Sequence, residues 1–130
     1  MDEKQELDEK KSYKKLEVWQ KGYELSLLTY EVTSKFPKNE EYGLKPQMTR
    51  CAVSIPSNIA EGYMRQHRKE YINFLSIALG SAAELETQAL IARDTNLVNH
   101  ESYDQIEQLS GSIIAMLTKL IKVLKGKGDV

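Results

Sequence analysis

The chain has 130 residues, of which 41% are apolar and 28% charged, and its formal net charge is −1. That length suits one domain with a small core, and the balanced charge excludes the bulk basicity that announces a nucleic-acid binder. One cysteine excludes an internal disulfide, no apolar run approaches the roughly 20 residues of a membrane span, and the charged residues 1–6 do not read as a signal peptide, so a cytoplasmic protein in a reducing compartment, with no membrane contact, is expected.

Residues 1–12 read as a charged tail, with Leu7 the one apolar residue after Met1. A helix-period segment follows over 14–36, where Leu16, Trp19, Tyr23, Leu27 and Tyr30 recur at spacings of three and four and predict its core stripe. Pro37 ends it, because the residue before a proline disfavours the α region. The second segment, 44–65, carries the stripe Leu44, Met48, Cys51, Ile55, Ile59 and Tyr63. Pro46 suits a first helical turn. Pro56 lies inside the pattern and removes a backbone donor, yet the apolar phase continues across it, which predicts one kinked helix rather than two.

The third segment, 69–95, has the stripe Tyr71, Phe74, Ala78, Ala82, Leu85, Ala89 and Ala92. Its Gly80 costs about 1 kcal/mol of helix propensity relative to Ala, which a close helix crossing would offset. The fourth, 100–125, repeats Ile106, Leu109, Ile113, Met116, Leu120 and Val123. Asn99 is the expected N-cap, with Ser102 and Gln105 a competing capping box, and Gly126 and Gly128 mark the end. No strand-like alternation is present. Four helices on short connections predict an all-α, antiparallel up-down-up-down four-helix bundle over 13–126, with a short tail at 127–130.

Three helices carry surplus apolar surface: Val18, Leu25, Leu28 and Val32; Ile72, Leu79, Leu90 and Ile91; Ile114, Leu117, Ile121 and Leu124. Either the core-facing bands are wide or other copies of the chain cover the surplus. Leu117 and Ile121 are the expected oligomer interface. Arg50, Glu61, Glu84, Glu86 and Arg93 fall in mid-helix beside apolar stripes and are read as structural ion pairs.

Bundle topology polarises the charge. Residues 10–21, 61–70 and 117–127 share one end and sum to +9, whereas 31–45 and 91–107 sum to −3 and residues 1–9 to −4. Lys14, Lys15, Arg65, Arg68, Lys69, Lys122, Lys125 and Lys127 form a candidate phosphate-binding face, although lysines at a helix C-terminus also complement the macrodipole. Nothing announces catalysis. His67 and His100 are preceded at three residues by Met64 and Leu97, so the Glu-x-x-His pair of a di-metal bundle is missing, and the glycines are isolated. No catalytic residue, metal or cofactor is expected.

The run Arg50-Cys51-Ala52-Val53-Ser54-Ile55-Pro56-Ser57-Asn58-Ile59-Ala60-Glu61-Gly62 closely resembles the signature of a known family, the four-helix-bundle proteins encoded by intervening sequences in bacterial 23S rRNA genes. The accessory variability determinants of diversity-generating retroelements look like relatives. Further pieces follow in family order: Leu16-Glu17-Val18-Trp19-Gln20-Lys21, Phe36-Pro37-Lys38, Tyr42-Gly43-Leu44, Glu70-Tyr71, Phe74-Leu75-Ser76-Ile77-Ala78, Gly80-Ser81 and Glu84-Leu85-Glu86-Thr87. Cys51 stands where the family commonly has a second basic residue, and His67 and Arg68 stand where it often has Ser or Thr. The resemblance implies a bundle that assembles as a homopentamer. The resulting expectation is a non-enzymatic homo-oligomer that associates with RNA or a nucleoprotein through its basic end; the alternative is a protein-binding scaffold that contacts no nucleic acid.

Overall fold

The computed structural model describes Glu3 and residues 12–126, so Lys127, Gly128 and nearly all of the charged N-terminal tail lie outside the described residues. A 3-10 turn, Ser12–Lys15, leads into α1 (Glu17–Thr33); a second, Lys38–Glu40, precedes α2 (Leu44–Met64); α3 (Arg68–Asp94) and α4 (His100–Lys125) follow, and no strand occurs among the described residues. Each helix packs on its sequence neighbours and α4 closes back onto α1, giving the antiparallel four-helix bundle. The α2–α3 seam is the most extensive and α1–α4 the least.

Local chemistry sets the boundaries. The Asn99 side chain accepts the Ser102 backbone N–H at 2.8 Å, so Asn99 is the N-cap of α4. The Leu44 N–H at the start of α2 donates to the Glu40 carboxylate at 2.9 Å. Helix α3 ends in a Schellman-type turn, with Asn96 in the left-handed region (φ 64°) and the Leu97 N–H on the Ala92 carbonyl at 2.8 Å.

Leu25, Met48, Ile55, Ile59, Leu75, Leu85, Ile106, Ile113 and Leu117 are completely buried and form the middle of the core. The predicted stripe of α2 is therefore the one that packs, and its helix runs unbroken through Pro56. A proline at that position leaves the Ala52 carbonyl without its i+4 donor. The Ser26 hydroxyl of α1 fills that place, donating to the Ala52 oxygen at 3.0 Å, while Gly22 lets the two backbones approach: a Cβ there would sit 3.2 Å from Ile55 and 3.4 Å from the Pro56 nitrogen.

Three expectations are corrected. On α1 the buried face is Val18, Gly22, Leu25, Ser26, Thr29, Val32 and Thr33, and the predicted core residues Tyr23, Leu27 and Tyr30 are about half exposed. Where α1 comes closest to α2, at Gly22 and Ser26, there is room only for small groups, and Tyr23, Leu27 and Tyr30 are turned outward. Leu117 is 0% and Ile121 8% exposed within one chain, so neither is available to a neighbour; on α4 it is Val123, expected in the core, that faces out. Gly80 marks no helix crossing inside the chain, since a Cβ there would meet nothing within 4 Å. The glycine that closes the α2–α3 seam is Gly62, where a Cβ would lie 2.7 Å from the Cβ of Phe74.

Candidate interaction surfaces

The first 3-10 turn is fastened to the end of α2. Ser12 Oγ and the Tyr63 hydroxyl are 2.6 Å apart, and the Tyr13 ring meets Trp19 at 5.5 Å and Tyr63 at 6.5 Å, both edge-on. Tyr63 in turn meets Tyr71 of α3 at 5.9 Å. The start of α1 and the α2–α3 turn thus share one end of the bundle, and the alternating helix directions bring the C-terminus of α4 to it. Lys14, Lys15, Arg65, Arg68, Lys69, Lys122 and Lys125 are all exposed there.

These cations differ in what holds them. Arg65 is committed within the chain: its guanidinium pairs with Glu61 at 2.9 Å and Glu70 at 3.5 Å and lies 5.0 Å from the Phe74 ring. Lys122 and Lys125 occupy the last turn of α4, where the helix dipole favours positive charge. Arg68 and Lys69 occupy the first turn of α3, where the dipole opposes it, and Glu70 is the only acid in that turn. The residue before it, His67, makes no side-chain capping hydrogen bond. A helix N-terminus without a side-chain cap from the preceding residue and with basic residues in its first turn has the electrostatics of an anion-binding position.

The expected structural ion pairs are mostly absent. Among the described residues only Glu61 (with Arg65) and Arg93 (with Asp94, 3.0 Å) are paired, and those pairs lie at the surface, where such pairs are worth about 0–1 kcal/mol. Arg93 also stacks 4.5 Å over Tyr103. Glu86 instead accepts a hydrogen bond from Ser110 at 3.2 Å. Arg50 and Glu84 are exposed rather than buried, because the polar edge of α2 and α3 forms an open seam: Ser54 meets Ser81 at 2.9 Å, and Asn58 donates to the Ser54 carbonyl at 2.7 Å. Cys51 lies beneath that seam, its thiol donating to the Ser81 carbonyl at 3.1 Å. Burial, with the Glu84 carboxylate nearby, raises its pKa to about 11, so it is a protonated core group and a poor nucleophile at neutral pH.

The surface that sequence reasoning missed is the outer side of α1. Trp19 stacks on Tyr23 (5.4 Å, 15° between planes), and the line continues through Leu27 and Tyr30. Together with Val53, Pro56 and Ala60 of α2 these side chains line a shallow groove of about 380 Å³. The signal was present in the sequence, in the small and hydroxyl residues Gly22, Ser26, Thr29 and Thr33 on the other side of the same helix. Among the described residues no group of three or more His, Cys, Asp or Glu is placed to hold a metal ion, and no helix is long and apolar enough to cross a membrane.

A sequence model described as 23S rRNA-intervening sequence protein matches residues 14–119. The chain belongs to that family. A crystal structure of a protein of unknown function from the S23 ribosomal protein family, from Bacteroides thetaiotaomicron, superposes with a TM-score of 0.74 at 30% identity, covering 81% of this chain and 98% of that one. No protein of curated function matches.

Proposed function

We propose that this family member is a non-enzymatic, self-assembling bundle that engages RNA or a nucleoprotein through its basic end. The carrying observation is the placement of Arg68 and Lys69 in the first turn of α3. Helix electrostatics disfavours cations there, and a bound phosphate would reverse the sign of that effect. Lys14, Lys15, Lys122 and Lys125 extend the positive surface around that point. Contacts of this kind neutralise phosphates without reading bases, so binding is weakly selective for sequence and falls steeply with salt. The assembly is taken to be the homopentamer that the family resemblance implies, and the half-exposed side chains of α1 supply the apolar surface for it.

Fluorescence-anisotropy titration with single-stranded and structured RNA at low salt tests the reading. Replacing Arg68 and Lys69 with glutamine should weaken binding more than replacing Lys122 and Lys125, whose charges the α4 dipole already favours. Removing residues 1–9, which carry a net −4, should strengthen it by lifting charge repulsion. If neither the full chain nor the shortened one binds RNA at low salt, the lysines are solubilising caps and the protein-scaffold alternative takes over.

A further inference from the structure

The seam between α3 and α4 is not fully closed. Toward the end of the bundle opposite the basic one, Glu86, Ala89 and Leu90 of α3 and Tyr103 and Glu107 of α4 line a notch of about 80 Å³. That is the space of two or three waters at roughly 30 Å³ each, so it admits the tip of one side chain or alkyl group and nothing larger. We infer that this notch binds a primary ammonium group on an aliphatic stem, the chemistry shared by a lysine side chain and a free alkyl polyamine. The site is separate from the basic end and does not rest on the RNA-binding reading.

The oxygens around the notch are under-used. Glu86 accepts one hydrogen bond, from the Ser110 hydroxyl at 3.2 Å, although a carboxylate offers about four lone-pair sites. Neither Glu86 nor Glu107 has an ion pair among the described residues. Tyr103 is only 6% exposed. Burial, then the Glu107 and Glu86 carboxylates, raise the pKa of its phenol, yet its hydroxyl completes no hydrogen bond of ordinary length among the described residues. A buried hydroxyl in that position ordinarily has a partner.

An ammonium group fits this set. It carries three donors and no acceptor, and Glu86, Glu107 and the phenol oxygen supply three acceptors, two of them charged. Its stem has apolar surface to follow, in Ala89 and in Leu90, which is 39% exposed. The one cation nearby does not fill the site. Arg93 pairs with Asp94 at 3.0 Å and lies 4.5 Å from the centre of the Tyr103 ring. Counting it, Glu86, Arg93, Asp94 and Glu107 still carry a net charge of −2. Because Arg93 already takes the ring, the flat stacking surface that a second guanidinium would use is occupied, which favours the compact ammonium over the planar group.

Amide NMR of the full chain, titrated at constant ionic strength with n-butylammonium chloride, tests the site. Saturable shifts should be confined to residues 86–90 and 103–107, and butylguanidinium should bind more weakly. Glu86→Gln with Glu107→Gln should weaken binding about tenfold or more, and Tyr103→Phe, which keeps the ring, about fivefold. Glu101→Gln with Asp104→Asn removes the same charge outside the notch and should change little. The dispersion of each spectrum checks that the variant is folded. Acetylated trilysine amide and spermidine, of equal charge, then separate the two sources: the one that saturates the notch at lower concentration identifies the physiological class. Shifts spread over the acidic surface, equal weakening by the two charge-removing pairs, unchanged binding in the Tyr103→Phe chain, or a butylguanidinium that binds as tightly would each overturn the assignment.

Discussion

Helix α2 places Met48, Ile55 and Ile59 in the core and turns its polar edge to the solvent. The neighbouring α1 buries Gly22, Ser26, Thr29 and Thr33 around Leu25 and leaves Tyr23, Leu27 and Tyr30 half exposed. Hydropathy does not account for the difference, since a tyrosine or leucine gains more from burial than a serine. Approach distance does. A helix that comes close enough for its serine to reach a neighbour's backbone has no room for an aromatic ring on that side. The buried hydroxyls need no external partner: Thr29 bonds the Leu25 carbonyl at 2.7 Å and Thr33 the Thr29 carbonyl at 2.8 Å, which meets the requirement that buried polar groups be satisfied.

The sharpest test of this contrast compares two leucines on α1. Leu25 is completely buried and Leu27 is 56% exposed. Leu25→Ala should cost about 2–5 kcal/mol, the sum of lost transfer energy and the cavity left behind. Leu27→Ala should change the stability of the single chain by no more than about 0.5 kcal/mol. Urea unfolding at protein concentrations where the midpoint is concentration-independent reads both. Equal losses would mean that both faces of α1 act as core and would remove the contrast.

A smaller effect tests why α1 comes close. Ser26→Ala should cost about 1–3 kcal/mol, because it orphans the Ala52 carbonyl that Pro56 has already deprived of its helical donor. In a Pro56→Ala chain the restored N–H can satisfy that carbonyl, so the same serine replacement should cost less. The double-mutant cycle should show a coupling on the order of 0.5–3 kcal/mol. Strict additivity would separate the serine from the proline and remove the explanation offered here for a proline in mid-helix.

What could be read from the residues follows the same division. The stripes of α2, α3 and much of α4 were legible because large apolar and polar side chains alternate at helical spacing; the same spacing, in phase across Pro56, made the unbroken helix legible, and the cap at Asn99 was legible from local chemistry. Helix α1 was not, because it buries small and hydroxyl side chains against α2 and turns larger, more apolar ones outward, the reverse of what hydrophobic periodicity reads. The same limit put Leu117 and Ile121 outside and Val123 inside: α4 carries a broad apolar band, and which part of it faces the core depends on where α1 and α3 lie. At the basic end the lysines and arginines were visible in the sequence. The distinction between Arg65, held by two glutamates and a ring, and Lys69, set against a helix dipole, required the folded chain.

The smallest expected effect concerns Cys51, on the seam between α2 and α3. Its thiol pKa is raised from 9.0 to about 11, first by burial and then by the Glu84 carboxylate, and its proton is engaged by the Ser81 carbonyl. The folded state therefore favours the neutral thiol. That contribution to stability is fully present below about pH 9, where the unfolded thiol also keeps its proton, and is lost as pH rises through about 11. Tyr71 and Tyr103 are shifted upward as well, so the wild-type profile alone does not isolate the cysteine. The informative quantity is the difference between the wild type and Cys51→Ala, measured by urea unfolding from pH 8 to pH 11. The alanine chain starts less stable, having lost a buried group, and should then lose stability with pH less steeply, so the two curves converge. Glu84→Gln in both chains should make the curves converge less, because removing the carboxylate charge eases ionisation of the folded thiol, so the pH-dependent loss ends at a lower pH and its total is smaller. Parallel curves across this range would mean that the thiol ionises as easily folded as unfolded, and that the α2–α3 seam is wetter than the contacts around Cys51 indicate.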